Sequence, residues 1–369
     1  MTLTDELIRL ANELGSDEEY SRAGGGNASV KVDGILYIKP SGVPLATLRA
    51  DDLIPLRIAP LLDALHSDKK VDGDPVQAAA RAAQLHDANG RRPSVEILFH
   101  ALIPDPLVIH LHPLTSNAVT CNEHGEYLTK QILGDDALWV DYLDPGIPLA
   151  RGIEEARGEF TRRTGKPAPQ ITLLGNHGII VSGDSYAQII SLTRSLTQRI
   201  QDAIDQASDS GALRLSPSQL TGAALVLQEA TGKAAHALSN SGIAIEESAL
   251  SAGPVSSGPL IPDQIVYAAS LPVILHPPYE PSAITRAVSA YHEEHGHFPI
   301  IAVLPQRGVI ALGADAKAAR NALDTFLDAL RISRDANRLG RVRTLTHEER
   351  SFIENWEAEA YRRSIAAQA

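Results

Sequence analysis

Apolar residues along this chain follow two periods, and their alternation sets out an ordered series of elements. The opening stretch, MTLTDELIRLANELGS, carries its apolar positions at helical spacing and reads as an amphipathic helix. Two β-rich runs follow, ending at Val32 and beginning at Ile35, joined by Asp33-Gly34, a strong hairpin signal. Leu53 to Ile58 reads as a short strand. Two helical stretches come next, joined by the polar segment Ser67 to Asp74. Ser94 stands as the N-cap of a helix from Val95 to Ile103, with Glu96 in its first turn. Leu107-Val-Ile-His-Leu-His112, between Pro106 and Pro113, has the composition of a buried strand.

Beyond it, Leu114 to Leu133 reads as helical in parts and Ala137 to Tyr142 as a strand. Asp144-Pro-Gly-Ile-Pro turns into a helix from about Leu149 to Thr164, followed by a hairpin from Gln170 to Ser182 and a helix from Ser185 to about Asp205. Helices interleaved with hairpins predict an α/β layered fold around a mostly antiparallel central sheet flanked by helices. Small polar runs at Gln206–Ser218 and Ser248–Pro259 read as linkers. After Thr346 the chain reads as a charged terminal helix.

An internal echo divides the chain. Ile171-Thr-Leu-Leu-Gly-Asn-His-Gly-Ile-Ile-Val-Ser-Gly183 aligns with Ile301-Ala-Val-Leu-Pro-Gln-Arg-Gly-Val-Ile-Ala-Leu-Gly313, and each copy precedes a helical run. Two domains are expected: residues 1–210, and residues 220–369 as a degenerate repeat of the strand–hairpin–helix portion. Arg307 replaces His177 in the second copy. Guanidinium stays protonated and ligates no metal, so a second metal site of this kind is not expected there.

At 369 residues the chain is long enough for two cores. Lys and Arg number 33 against 45 Asp and Glu, a net charge of −12, which argues against nonspecific binding of nucleic acid or anionic membranes. The single cysteine, Cys121, rules out an intramolecular disulfide framework and suits a reducing compartment. No signal peptide and no apolar run long enough to span a bilayer is found, and a cytoplasmic location is expected.

Candidate chemistry concentrates at three histidines. His110 and His112, two apart on a strand, project from one face. Alone, such a pair is more often two ordinary histidines. His177 adds a third imidazole, presented by Gly175-Asn-His-Gly178, a tight-turn composition between two apolar runs. Three histidines with an open coordination position form a catalytic zinc pattern, and Glu96 is a candidate acid/base. Gly24-Gly-Gly26 fits either an anion-binding nest or a turn, and it is neither a dinucleotide fingerprint nor a P-loop. Lys39 fits a solvated face or a phosphate contact. The cluster His292, His295 and His297 reads as a helix C-terminus with Gly296 just past it. His100 reads as core or as a partner of the site.

Together, Gly25-Gly-Asn27-Ala-Ser29, Lys39-Pro-Ser41-Gly42, Ser94-Val-Glu96, His110-Leu-His112-Pro113 and Gly175-Asn-His177-Gly178 resemble the class II aldolase/adducin family over roughly residues 3–210. The closer likeness is to the aldolase half of bifunctional rhamnulose-1-phosphate aldolase/dehydrogenase proteins. It includes Gly258-Pro-Leu-Ile-Pro-Asp263 and the second hairpin, although no Rossmann signature occurs here. The resemblance implies a class II aldolase-like fold followed by a degenerate second unit. It implies that His110, His112 and His177 bind Zn²⁺ or another divalent ion and that Glu96 is the acid/base. Asn27, Ser41, Gly42 and Ser94 would surround the phosphate or carboxylate end of a small sugar phosphate; Lys39, which the resemblance does not supply, is a further candidate anion contact. Some relatives carry two serines before the glutamate; here the second is Val95, which removes one hydroxyl.

The activity so implied is that of a lyase cleaving a carbon–carbon bond of a small ketose phosphate through a metal-stabilised enediolate. Epimerisation or decarboxylation of a sugar-acid phosphate, and a non-catalytic adducin-like scaffold, are the competing expectations. A homo-oligomer is expected, with a tyrosine from a neighbour completing the site; Tyr127 and Tyr142 are candidates.

Overall fold

The computed structural model describes residues 2–67, 73–86, 90–206, 218–247, 253–276, 279–305 and 307–356. Most of the Ser67–Asp74 segment and of the Gln206–Ser218 linker, the stretch 248–252 and the tail past residue 356 therefore lie outside the described residues. The chain divides into two compact units, the first mainly Met1–Thr120 with His124–Asp205, the second mainly Gln206–Asn355. The predicted boundary between residues 210 and 220 falls largely on that undescribed linker.

In the first unit, α1 (Leu3–Gly15) begins with a reciprocal cap: Asp5 N–H donates to Thr2 Oγ1 and Thr2 N–H to Asp5 Oδ2. Its Leu7, Leu10 and Leu14 are buried, each contributing about 1.5–3 kcal/mol. Strands β1 (Asn27–Val32) and β2 (Ile35–Ile38) form the predicted hairpin, with Asp33 at φ +50° and Gly34 at φ +77° in its turn. Then come β3 (Ile54–Arg57), α2 (Ile58–Leu65), α3 (Pro75–Ala83), α4 (Ile97–Leu102), β4 (Leu107–Leu111), α5 (Leu114–Thr120), α6 (Gly125–Leu133), β5 (Ala137–Val140), α7 (Ile147–Thr164), β6 (Ile171–Leu174), β7 (Gly178–Gly183) and α8 (Tyr186–Gln206).

Among the described residues one sheet runs β3-β2-β1-β4-β7-β6-β5, antiparallel except for the parallel β5–β6 pair. β4 is its central strand and is buried along its whole length, which explains its continuous apolar run. Val108 and Ile180 of the sheet pack in one core with Leu61 and Leu65 of α2, Ile97 to Phe99 of α4, and Leu149 and Ile153 of α7. His110 lies on the Val108 side, two residues along, so it points toward that helical layer; the Phe99 ring meets it edge-on at 5.7 Å.

One expectation is corrected here. Ser94 is not the cap of the following helix; Glu96 is the N-cap of α4, whose first residue is Ile97. The Ser94 hydroxyl instead accepts from Asn27 Nδ2 at 3.0 Å and from the Glu96 N–H at 3.3 Å, closing a turn before the helix starts.

The second unit holds α9 (Ser218–Thr231), β8 (Ala235–Ser239), α10 (Gly242–Glu246), α11 (Pro262–Ala268), β9 (Val273–Ile274), α12 (Pro281–His295), β10 (Ile301–Leu304), β11 (Gly308–Gly313), α13 (Ala316–Leu339) and α14 (His347–Asn355). Its sheet runs β8-β11-β10-β9, with the same order and strand senses as β4-β7-β6-β5. The pairing Leu174↔Gly178 recurs as Leu304↔Gly308, and Leu111↔Ile179 as Ser239↔Val309. On this register Leu238, Asn240 and Arg307 occupy the places of His110, His112 and His177. α12 ends at His295 with Gly296 at φ +73°, so that histidine-rich stretch is a helix terminus.

Candidate metal centre

The site is built from the middle of the first sheet outward. β4 carries His110 inward, and His112 follows one residue past the strand's end. Their rings meet edge to face at 4.7 Å between centroids. His177 arrives from the β6–β7 turn, its ring 4.9 Å from His110 and 5.4 Å from His112. That turn needs its small residues. Asn176 adopts φ +48°, and a Cβ on Gly178 would lie 2.3 Å from the Leu111 carbonyl oxygen and 2.7 Å from Cδ2 of His112. Gly26, at φ +69°, approaches the other side of β4 just as closely; an added Cβ would sit 2.6 Å from the His110 carbonyl oxygen.

One nitrogen from each of the three imidazoles lies within 4.8 Å of the other two. His110 Nδ1 donates to the Ile179 carbonyl at 2.8 Å, which leaves Nε2 of the neutral ring with its lone pair toward the cluster. His112 Nε2 stands 2.9 Å from that atom. Nitrogens around a tetrahedral zinc ion are about 3.3 Å apart, so the three rings are spaced for one cation. Burial pushes the His110 imidazole down to about 3, keeping it in the unprotonated form a metal requires.

Glu96 completes the cluster. Its Oε1 lies 3.2 Å from His177 Nε2 and 3.6 Å from His110 Nε2, yet accepts no well-formed hydrogen bond, and His177 Nδ1 likewise has none. Burial opposes ionisation of this carboxyl, but the neighbouring imidazoles prevail and hold it well below the usual carboxylate range. The three imidazole nitrogens are a donor set that fits a divalent cation, and a buried carboxylate oxygen without a donor stands beside two of them.

The remaining predicted residues divide into two groups. Asn27 and Ser94 join the cluster directly: Asn27 Nδ2 donates to Glu96 Oε2 at 2.5 Å and to Ser94 Oγ at 3.0 Å. Both amide hydrogens of Asn27 are thus engaged. Lys39, Ser41 and Gly42 lie on an adjoining loop. The Lys39 ammonium is buried and donates to the carbonyls of Val43 at 2.7 Å and Pro40 at 3.2 Å. Ser41 N–H donates to Arg92 O at 2.9 Å, beside a Pro40–Pro93 bridge, and Gly42 turns at φ +82°. Of the candidate tyrosines, Tyr127 is exposed and Tyr142 OH reaches Asp144 Oδ1 at 3.5 Å.

Sequence reasoning gave Ser29 no role and left His100 between two. His100 Nδ1 pairs with Ser29 Oγ at 2.7 Å, and its Nε2 meets Asn27 Oδ1. The signal was available: Asn27 and Ser29 share a strand face, and Glu96 and His100 are four apart at the start of a helix.

The chain is similar to known proteins in sequence and in fold. The curated protein "Uncharacterized oxidoreductase YuxG" of Bacillus subtilis is 28% identical over 226 residues, which cover 58% of this chain and 32% of that protein. The chain thus spans about a third of that relative's length. The N-terminal class II aldolase domain of a conserved Thermoplasma acidophilum protein superposes with a TM-score of 0.47 at 24% identity, over 55% of this chain and 94% of that one. L-fuculose-1-phosphate aldolase of Thermus thermophilus does so with a TM-score of 0.37 at 17% identity, over 55% of this chain and 94% of that one. The model of the class II aldolase and adducin N-terminal domain matches residues 5–203. With more than half its length so matched, the chain belongs to the class II aldolase and adducin family.

Proposed function

We propose that the chain is a divalent-metal-dependent aldolase, with zinc the best fit, that cleaves a small ketose phosphate or a related sugar. The observation that carries this reading is Glu96 Oε1, a buried carboxylate oxygen without a hydrogen bond, set beside His177 and His110 of three convergent imidazoles. His110, His112 and His177 would hold the ion. When bound, it supplies Lewis-acid stabilisation of the negative charge that develops on substrate oxygens during carbon–carbon cleavage. Glu96 moves the proton: Oε1 is the carboxylate oxygen open to a substrate carbon, while Oε2 is held by Asn27. The Ser41–Gly42 turn and Ser94, joined through the Ser41–Arg92 hydrogen bond, are the groups proposed to receive the anionic end of the substrate.

The test is metal analysis of the purified chain followed by a screen of ketose phosphates for release of dihydroxyacetone phosphate. One ion per chain together with metal-dependent release supports the aldolase. Bound metal without cleavage of any ketose phosphate removes it, and interconversion or decarboxylation of a sugar-acid phosphate would replace it with a sibling activity. A chain that takes up no divalent ion removes the metal centre as well.

A further inference from the structure

We propose that His100 is a positioning residue: through a buried chain from Ser29 to Asn27 it holds the Glu96 carboxylate with Oε2 bound and Oε1 turned toward the imidazoles. The inference rests on the aldolase reading for its kinetic consequence, but the chain itself stands on donor and acceptor chemistry alone.

Each link has one possible direction. A carboxylate only accepts, so the group of Asn27 that faces Glu96 Oε2 must be its amide nitrogen. The same nitrogen donates to Ser94 Oγ. Asn27 Oδ1 is thereby turned away from Glu96, toward His100 Nε2, and can only accept there. His100 Nε2 therefore carries hydrogen. Burial, and then the charge of Lys31, hold the His100 imidazole well below its ordinary range, so the ring is neutral and Nδ1 is an acceptor. Ser29 Oγ–H is the donor to it, at 2.7 Å. Ser29 and His100 are fully buried and Asn27 is 4% exposed, so water does not compete for these bonds.

The consequence falls on the carboxylate. An Asn27 amide rotated by half a turn would set Oδ1 against Oε2, acceptor against acceptor, and would break the contact that distinguishes the two oxygens of Glu96. The neutral His100 with hydrogen on Nε2 selects against that rotamer. Ring packing reinforces the choice, because His100 stacks on Phe99 at 4.7 Å between centroids.

The experiment has two arms on the whole chain loaded with zinc. In the first, long-range proton–nitrogen correlation of the histidine rings, with His100 assigned by its loss in His100→Gln, should show hydrogen on Nε2 and none on Nδ1. Hydrogen on Nδ1, or on both nitrogens, overturns the chain whatever the enzyme's activity. In the second, His100→Phe keeps the stacked ring but removes the donor. With the ketose phosphate the wild type cleaves, kcat should fall about 10- to 100-fold with KM and zinc content unchanged, and His100→Gln, which restores an N–H, should recover most of the loss. Unchanged kcat in His100→Phe, or an equal loss in His100→Gln, overturns the positioning role. A wild type that cleaves no ketose phosphate sinks the aldolase reading instead, and the ring tautomer still decides the chain.

Discussion

Asn27 and His110 stand directly opposite one another across the β1–β4 ladder. Opposed residues of an antiparallel pair point to one face, so a single backbone pairing places both the residue that holds the Glu96 carboxylate and a residue able to hold a metal ion. A one-residue slip of β1 would send Asn27 to the far face and leave Glu96 Oε2 without its donor.

Replacing Glu96 by Gln removes the proton-accepting oxygen but keeps the shape of the side chain. Bound metal and fold should persist while turnover drops roughly 10²–10⁴-fold. Steady-state rates measured alongside metal content check this, and wild-type turnover in a fully loaded variant would take Glu96 out of the mechanism.

His177 is one of the three imidazoles and comes from a turn distant in sequence from the other two. His177→Ala should lose most of the bound ion, and activity with it, because the two histidines that remain leave the cation under-coordinated. Elemental analysis after dialysis is the measurement; a variant that keeps its full complement of zinc would break the three-histidine assignment.

Gly178→Ala tests the packing behind the centre. The new methyl would lie 2.3 Å from the Leu111 carbonyl oxygen and 2.7 Å from the His112 ring. A backbone oxygen of the central strand cannot move aside cheaply, so a loss of about 1–3 kcal/mol in stability is expected, together with weaker metal binding. Urea denaturation and metal titration of the variant report the two effects separately.

Metal stoichiometry addresses the second unit. Leu238, Asn240 and Arg307 stand where the first unit has histidines, so the whole chain should bind one catalytic ion. Arg307→His should not create a second site, since the neighbouring positions supply no imidazole. A second high-affinity equivalent in either protein would contradict the register drawn between the two sheets.

Lys31 gives stability a pH dependence of known sign. Burial pushes its ammonium down to about 7, against a partial pull upward from Asp105, while its Nζ donates to the Asp105 carbonyl at 2.8 Å. Between about pH 7 and the ordinary value of 10.5 the unfolded chain binds a proton that the folded chain lacks, so stability rises with pH across that window. Lys31→Met should flatten the rise, as read from urea midpoints at a series of pH values. An unchanged slope would assign it to other groups.

Much of this protein was legible in order along the chain. The Asp33-Gly34 hairpin, the buried run ending at Leu111, the β6–β7 turn that presents His177, and the helix ending at His295 before Gly296 all follow from residue spacing and turn chemistry. These are properties of a few neighbouring residues: backbone period decides which side chains share a face, and Gly or Asn decides where the chain can turn. Tertiary structure decided which faces meet. Ser94 had the composition of a cap, but Asn27, 67 residues earlier, and the Glu96 N–H claimed its hydroxyl, and the helix began later. The link from His100 to Glu96 through Asn27 likewise exists only once β1 pairs with β4 and α4 packs over them. The likeness of the two sheets was visible in sequence only at one hairpin and became a four-strand correspondence through ladder order and register. Long-range pairing and burial set those relations, and no local window of sequence contains them.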